Sequence, residues 1–446
     1  MKLIDLLKTI KKNNPKIDIS LIRKAYFYAA KTHKQQKRES GALFIQHPLH
    51  VAYYLAEMNL DPVTIAAALL HDVVEDSEVS LKDIEINFGH PIANLVDGVT
   101  KISKIKAKSK EEYEEYHAKS IRKVILASAQ DIRVIFIKLA DKLHNMQTLD
   151  CFRPEKRERI AREVLNVYAP IAHKLGIASI KWQLEDLAFK HLHKEIYSML
   201  LKKIKKTRPV REKEINLVKK ILLKDLAKEN YKIHIFGRPK HIYSIYKKMQ
   251  KKHLSFEEIY DLTALRIIAK TPKECYKILG IIHNLWKPIP NEFDDYIAMP
   301  KSNMYQSLHT AVIGYGGQPI EIQIRTEEMD KIAEDGVAAH WRYKGFENDE
   351  EFDNKISWLK QVTEWQQESQ GYKDFMEMLK VDFFEDEIFT FTPKGKVIRL
   401  PKGATIIDFA YEIHSRLGDS CTGANLNGKF VPIRTILSNG DQIKII

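Results

Sequence analysis

Residues Tyr231–Met249 read YKIHIFGRPKHIYSIYKKM, and a change of pattern inside them divides the chain. YKIHIF alternates as a half-buried strand does, the next residues supply a glycine-containing turn, and HIYSIYKKM has the spacing of a helix. Upstream the pattern is helical. DPVTIAAALLHDVVEDS (61–77) opens with an Asp N-cap and a Pro at the first helical position. DIRVIFIKLADKLHNMQTL (131–149) and IAREVLNVYAPIAHKLGI (160–177) repeat apolar residues three and four apart. Downstream, EIYDLTALRIIA (258–269) and HTAVIGYGGQPIEIQIRT (309–326) alternate with period two, and Gly-Gly marks a hairpin. The expected fold is therefore multidomain. An all-α domain covers 1–195, a lysine-rich helical connector 196–230, and a mixed α/β domain 231–345. Helices carrying Trp358 and Trp365 link 346–383 to a small α+β domain at 384–446, with a Pro-Lys-Gly hairpin, a helix and closing strands.

The 446 residues are 44% apolar and 29% charged, a globular composition. Three scattered cysteines, Cys151, Cys275 and Cys421, suggest neither a disulfide framework nor a cysteine zinc site. The N-terminus MKLIDLLKTIKKNNPK lacks the apolar core and cleavage site of a signal peptide. The best apolar run, IAAALL (65–70), is too short to cross a bilayer. A soluble, cytoplasmic protein is expected. Residues 201–252 hold 18 Lys/Arg against 4 Asp/Glu, a local +14 that accounts for the whole net charge of +13. That block fits either a polyanionic ligand or a solvated helix surface.

Two groups of residues could carry chemistry. In the helical part, His71, Asp72 and Glu75 lie within one turn, while His47 and Asp141 sit on other elements. Imidazole with carboxylate suits a divalent ion such as Mn, Fe or Zn, which activates water for attack on phosphorus. Glu75 and Asp76 could then orient that water, or they are simply acids opening the next segment. In the α/β part, alternation puts Glu321, Gln323 and Arg325 on one face of PIEIQIRT, and Asp261 comes just after the start of the neighbouring strand. Two carboxylates facing a basic surface can hold Mg²⁺ between phosphates. Arg238, Lys240, Ser244, Lys247 and Lys248 gather at a turn-to-helix junction, and Tyr305 could stack on a base. Half-exposed strands with outward polar residues are the ordinary alternative. GYGG (314–317) precedes a strand rather than a helix, so it reads as a turn and not as a phosphate loop.

The motifs His47-Pro48, LLHDVVEDS, KLADKLHNMQTL, GRPKHIYSIYKKM, YDLTALRII and EIQIRT occur in order from about residue 20 onward. With FTFTPKGKVIRLPKGATIIDFAYEIHSRLGD they resemble the RelA/SpoT homologue family, the last block resembling the TGS domain of its long members. The resemblance implies an HD-type hydrolase that removes the 3′-pyrophosphate of (p)ppGpp with Mn²⁺. Its metal ligands would be His47, His71, Asp72 and Asp141, its catalytic residues Glu75 and Asp76, and its nucleotide contacts Arg38, Asn145 and Thr148. It also implies a nucleotidyltransferase-like synthetase moving pyrophosphate from ATP to the 3′-OH of GDP or GTP. There Asp261 and Glu321 would hold Mg²⁺, Arg238, Lys240, Ser244 and Lys248 would serve ATP, and Lys301, Tyr305 and His309 the guanine nucleotide. Gln323, on the Glu321 face, is placed with the nucleotide contacts. An α+β, ubiquitin-like TGS domain implies contact with tRNA on the ribosome, with His414 the expected contact.

Three departures stand out. Glu39 replaces a basic residue after Arg38, Met304 stands where the family has Gly in N-G-Y-Q-S, and the sequence ends after TGS, without zinc-finger and ACT modules. In addition, Glu292-Phe293-Asp294-Asp295 has the acidic form that resembles synthetase-dominant members, beside intact hydrolase residues. Glu292 and Asp294 are expected either to engage an additional Mg²⁺ or to form a solvated acidic turn. The expected activity is thus bifunctional. A hydrolase impaired in synthesis by Met304, a synthetase-dominant enzyme, and an RNA- or ribosome-binding regulator are the alternatives.

Overall fold

The computed structural model describes residues 1–100, 110–228, 231, 233–259, 262–301, 303–314, 317, 319–339, 387–438 and 440–446. The expected linker at 346–383, with Trp358 and Trp365, lies outside these residues, as does Asp261. The chain divides into two compact units, Met1–Phe375 and Met376–Ile446.

From Leu3 to Leu192 the described residues form helices and no β-strand, apart from one isolated bridge between Lys37 and Leu43. At the centre lies Pro62–Leu70. Its N-cap Asp61 accepts the N–H groups of Val63 and Thr64 at 3.0 Å each, which supplies two of the donors a helix start leaves unpaired. Every residue from Thr64 to Leu70 is buried, so this helix needs neighbours all round. Ser20–Thr32, Gln46–Glu57 and His90–Val99 provide them. The helix Arg133–Gln147 packs on Gln46–Glu57 and His90–Val99. It comes so close at Gly98 that a Cβ there would stand 2.8 Å from Val134 Cγ2. Pro154–Glu163, a π-helical turn at Val164–Tyr168, Ala169–Lys174 and Ala178–Leu192 follow, and then the 35-residue helix Lys194–Lys228.

The mixed sheet contains β1 (His234–Pro239), β2 (Thr263–Ala269), β3 (Pro288–Asp295), β4 (Leu308–Ile313) and β5 (Pro319–Thr326), in the order β1-β2-β5-β4-β3. Only β2 and β5 are parallel. One face is apolar: Leu265, Ile267, Leu308, Val312, Ile320, Ile322 and Ile324 pack on Leu222, Leu226, Ile278 and Ile282. Fully burying each such side chain contributes about 1.5–3 kcal/mol.

Three elements differ from expectation. Gly237 is not in a turn, because β1 continues through it in register with Leu265 and ends at Pro239. The described side chains of β2, from Ala264 to Ala269, are all buried rather than alternately exposed, as suits a strand flanked on both sides. Glu292–Asp295 is not a turn but the end of edge strand β3, whose pairing shifts between Pro288 and Phe293. Proline and charge are tolerated there because an edge leaves half its backbone groups unpaired.

The second unit contains the hairpin β6 (Glu387–Phe391) and β7 (Val397–Pro401), the helix Ile406–Ile413, and β8 (Ala424–Leu426), β9 (Lys429–Val431) and β10 (Ile443–Ile445). Ile388, Leu400, Ile406, Phe409, Ala424 and Ile443 make its core. A parallel bridge from Phe391 to Gln442 joins the hairpin to the three-stranded sheet.

Candidate active sites

Three helical elements bring His47, His71, Asp72 and Asp141 together in a buried cluster. His47 Nε2 lies 3.2 Å from Asp141 Oδ1 and 3.5 Å from Asp72 Oδ2, and His71 Nε2 lies 3.1 Å from Asp72 Oδ1. The other ring nitrogens face away from these carboxylates. His71 Nδ1 donates to the Ala68 carbonyl at 2.7 Å, and His47 Nδ1 meets His144 Nδ1 at 2.8 Å. A donating Nδ1 leaves an unprotonated Nε2, the form that binds a cation. His71 Nε2 is buried without a hydrogen-bond partner, and one ligand atom each from His47, His71 and Asp141 falls within 4.8 Å of the others. Two imidazoles with carboxylates fit a divalent metal.

The surroundings hold these groups in charge state and position. Burial disfavours the Asp141 carboxylate, but Lys138 (Nζ–Oδ2 3.1 Å) and His47 outweigh it and hold Asp141 well below the usual range. Burial, reinforced by His47, His50 and Arg38, pushes His144 down to about 3, so its ring is neutral. Arg38 Nη2 donates to Asn145 Oδ1 at 2.9 Å, and Asn145 Nδ2 to Asp141 Oδ1 at 2.5 Å. Arg38 and Asn145 thus form a relay onto Asp141. Glu75 and Asp76 occupy the half-buried turn Val73–Asp76 after Asp72, and the Thr148 hydroxyl donates to the His144 carbonyl. Lys138 and His144 each stand three residues from Asp141 on its helix, and that spacing is their signal in the sequence. Glu39 pairs with Lys156 at 3.1 Å on the surface, an interaction worth roughly 0–1 kcal/mol.

The second site is the other face of the mixed sheet. Register places Phe236, Arg266, Gln323, His309 and Asp294 in one row across five strands, with Arg238, Ala264, Glu321 and Ala311 in the next but one. Alanine on both sides of Glu321 leaves room above its carboxylate. Gln323 Nε2 donates to Glu321 Oε1 at 2.9 Å, His309 Nδ1 lies 3.7 Å from that oxygen, and Tyr305 Oη meets His309 Nε2 at 2.7 Å. Lys301 Nζ stands 4.2 Å from the Tyr296 ring centre and 5.7 Å from that of Tyr305. Burial, with Lys301, Arg325, Arg266 and Arg238 nearby, pushes His309 down to about 3.

Arg266 and Arg325 are buried, and Asp330 and Glu334 from the helix Glu327–Asp335 reach them. Arg266 Nη1 donates to Asp330 at 3.0 Å and to Glu334 at 2.8 Å, Arg325 Nε lies 3.5 Å from Asp330, and Arg238 Nη2 lies 3.6 Å from Glu334. Two carboxylates thus face three guanidinium groups. Nε and Nη2 of Arg266, and Nε and Nη1 of Arg325, have no hydrogen-bond partner. Surplus buried guanidinium donors suit a phosphorylated ligand. In the sequence, Arg266, Asp330 and Glu334 are marked only by an arginine inside an apolar strand and by two acids four residues apart.

The acidic cluster separates into different roles. Asp295 is structural, accepting from Ile297 and Ala298 N–H and from the Tyr276 hydroxyl. Glu292 lies 3.9 Å from Lys252, and only Asp294 joins the row containing His309. Met304 takes the backbone expected of the family's glycine, with φ 64°, and its side chain is buried. The departure therefore leaves a glycine-like turn in place. Left-handed backbone costs a non-glycine residue roughly 1–2 kcal/mol, and losing a buried Met costs about 1.5–3 kcal/mol. These effects largely offset. Met304→Gly is expected to leave the thermal unfolding midpoint within about 4 °C of wild type, as scanning calorimetry would show.

Comparison with known proteins follows the same division. Residues 25–178 match the HD domain, 237–348 the region found in RelA/SpoT proteins, and 388–446 the TGS domain. The chain is 48% identical over 439 residues to a GTP pyrophosphokinase of Myxococcus xanthus, covering 98% of this chain and 58% of that protein. The middle of the chain thus carries the region found in RelA/SpoT proteins. A probable guanosine-3′,5′-bis(diphosphate) 3′-pyrophosphohydrolase of Synechocystis is 47% identical, with 96% and 56% covered. A protein of Aquifex aeolicus named for the same hydrolysis is 46% identical, with 95% and 60% covered. The chain thus spans somewhat more than half the length of these RelA/SpoT relatives. The HD-domain match contains the His/Asp cluster, which points to use of a divalent metal. Among the described residues, no helix is long and apolar enough to cross a membrane.

Proposed function

We propose that this chain is a two-way alarmone enzyme. Its mixed sheet transfers pyrophosphate from ATP to the 3′-OH of GDP or GTP, giving (p)ppGpp and AMP, and its helical domain hydrolyses (p)ppGpp to GDP or GTP and pyrophosphate. The carrying observation is that one chain holds two separate sites, a buried His/Asp cluster and an arginine-rich face around Glu321. The names of the relatives, pyrophosphokinase and pyrophosphohydrolase, support the pairing. The proposed domains are a hydrolase at 1–195, a connector at 196–230, a synthetase at 231–345, a linker at 346–383 and a TGS domain at 384–446.

In the hydrolase, His47, His71, Asp72 and Asp141 would hold Mn²⁺. The ion supplies charge neutralisation at phosphate and acidifies water. Glu75 and Asp76 orient the attacking water and accept its proton, while Arg38, Asn145 and Thr148 face the nucleotide. In the synthetase, Glu321 with Asp261 would hold Mg²⁺. The partnered Glu321 carboxylate, with alanines on both sides, supports that role. Arg238, Lys240, Ser244 and Lys248 bind ATP. Lys301, Tyr305, His309 and Gln323 place the acceptor, with the neutral His309 ring fixing the Tyr305 hydroxyl. His414, exposed at the N-cap of Ser415–Ser420 and accepting from Arg416 N–H, is the proposed tRNA contact. Three free cysteines support a cytoplasmic setting.

Incubation with ATP, GDP and Mg²⁺, and separately with ppGpp and Mn²⁺, followed by nucleotide separation, tests the reading. AMP with ppGpp is expected from the first mixture and GDP with pyrophosphate from the second; no turnover in either would overturn it. Asp294 is proposed to engage an additional Mg²⁺ together with Glu292. Replacing Glu292 by Arg and Asp294 by Lys is expected to flatten the Mg²⁺ dependence of synthesis, whereas an unchanged Mg²⁺ titration would remove these residues from the site.

A further inference from the structure

The helix Ile242–Lys252 carries Ser244 and Lys248 of the proposed ATP side, yet little from its own sequence fixes its N-terminus. Its N-cap, His241, makes no side-chain capping bond. Asp186, on the helix Ala178–Leu192, does so instead: its carboxylate accepts the N–H of Tyr243 at 2.8 Å and of Ile242 at 3.4 Å. One turn earlier on that helix, Trp182 stacks flat on His241, with ring centres 4.3 Å apart and planes 9° apart. Ile242, Ile245, Tyr246 and Met249 form a stripe that packs around Phe189 and Leu200, which leaves Ser244 and Lys248 on a different face.

The acceptor side meets the preceding turn of the same segment. Asn303 Nδ2 donates to the His173 carbonyl at 3.2 Å, and Val337 N–H to the Leu175 carbonyl at 2.9 Å. Gly176 and Gly336 meet backbone to backbone at positive φ; a Cβ on Gly336 would stand 2.1 Å from the Leu175 oxygen. The segment 173–186 therefore touches the loop of Lys301 and Tyr305, the end of the helix holding Asp330 and Glu334, and the helix of Ser244 and Lys248. Asp186 itself lies between the stretches matching the HD domain and the RelA/SpoT region.

We propose that Asp186 is a positioning residue for synthesis, capping the ATP-side helix from the helical domain. The placement works against the ordinary behaviour of a carboxylate: burial pushes Asp186 up to about 6 despite the two backbone donors. Such a cost is more readily explained by a positional task than by stability alone. An anion at this helix start also opposes the positive end of the helix and fixes the first turn, from which Ser244 projects.

The inference rests on the synthetase reading, and full-length Asp186→Ala and Asp186→Asn test it against wild type. Losing the cap should raise KM for ATP about 5-fold, the factor a typical lost N-cap implies, with KM for GDP and ppGpp hydrolysis each within about twofold. Asp186→Asn keeps an acceptor oxygen and should restore KM for ATP to within about threefold. An unchanged KM for ATP in Asp186→Ala, equal rises for ATP and GDP, or no rescue by Asn would each overturn the proposal. If Asp186→Ala does not fold, Asp186→Glu, with its carboxylate displaced by one methylene, must show the same ATP-selective rise. Absence of synthesis by wild type would instead defeat the synthetase reading, and this proposal with it.

Discussion

Asp72→Ala is expected to abolish release of pyrophosphate from ppGpp while synthesis from ATP and GDP stays within about twofold of wild type. Asp72 is the carboxylate that reaches both imidazoles, 3.5 Å from His47 Nε2 and 3.1 Å from His71 Nε2. Its removal leaves His71 Nε2, already without a hydrogen bond, with no anionic neighbour at that distance. Loss of outer partners of a metal typically costs 10- to 100-fold, so loss of a ligand should exceed about 100-fold. Mn²⁺ affinity, followed by calorimetry or by the resonance of the free ion, should fall in parallel. Full hydrolysis by Asp72→Ala in the presence of Mn²⁺ would show the ligand assignment to be wrong. The side chain is 15% exposed and lies at a helix junction, so a cooperative thermal transition should survive and separate lost chemistry from lost folding.

Glu321→Ala should give the opposite result, with synthesis falling by about 10²–10³ and hydrolysis retained. Groups that stabilise charge at a reacting centre have effects of that size. Glu321 stands between Ala264 and Ala311, so no neighbouring side chain on those strands can replace its carboxylate. Gln323 would lose the oxygen it donates to, and His309 its anionic neighbour, so the acceptor side should loosen as well. Glu321→Gln keeps an acceptor oxygen for Gln323 without the charge. If Gln is as inactive as Ala, charge is what matters; if it recovers most activity, orientation of Gln323 and His309 is. Retained synthesis in both variants would remove Glu321 from the catalytic role.

Legibility in the sequence followed the range of the forces involved. Helices with local signals could be read directly, as where Asp61 and Pro62 start a run that is buried from Thr64 to Leu70. The four candidate metal ligands could be named because each lies in a distinctive motif, although their convergence needed the fold. β3 was obscured because PIPNEFDD contains two prolines and three acids, which a central strand would exclude and an edge strand accepts. Arg266 was obscured because its partners Asp330 and Glu334 are 64 and 68 residues away. Met304, where the family has Gly, holds left-handed backbone at φ 64°, a conformation that no local pattern in the sequence announces. The cap by Asp186 left no trace at all, since it links position 186 to positions 242 and 243 through backbone donors that every residue but proline possesses.

The packing of Ile242–Lys252 on Phe189 also limits how the molecule can be dissected. A fragment starting at residue 196 would keep each strand of the mixed sheet and every proposed ATP contact. It would nonetheless lose Phe189, which is fully buried against Ile245, Phe256, Ile259 and Leu262. The bared apolar surface would favour self-association of the excised piece. A synthetase fragment that keeps Phe189 in place must therefore begin before the helix Ala178–Leu192, inside what the sequence pattern assigns to the helical domain.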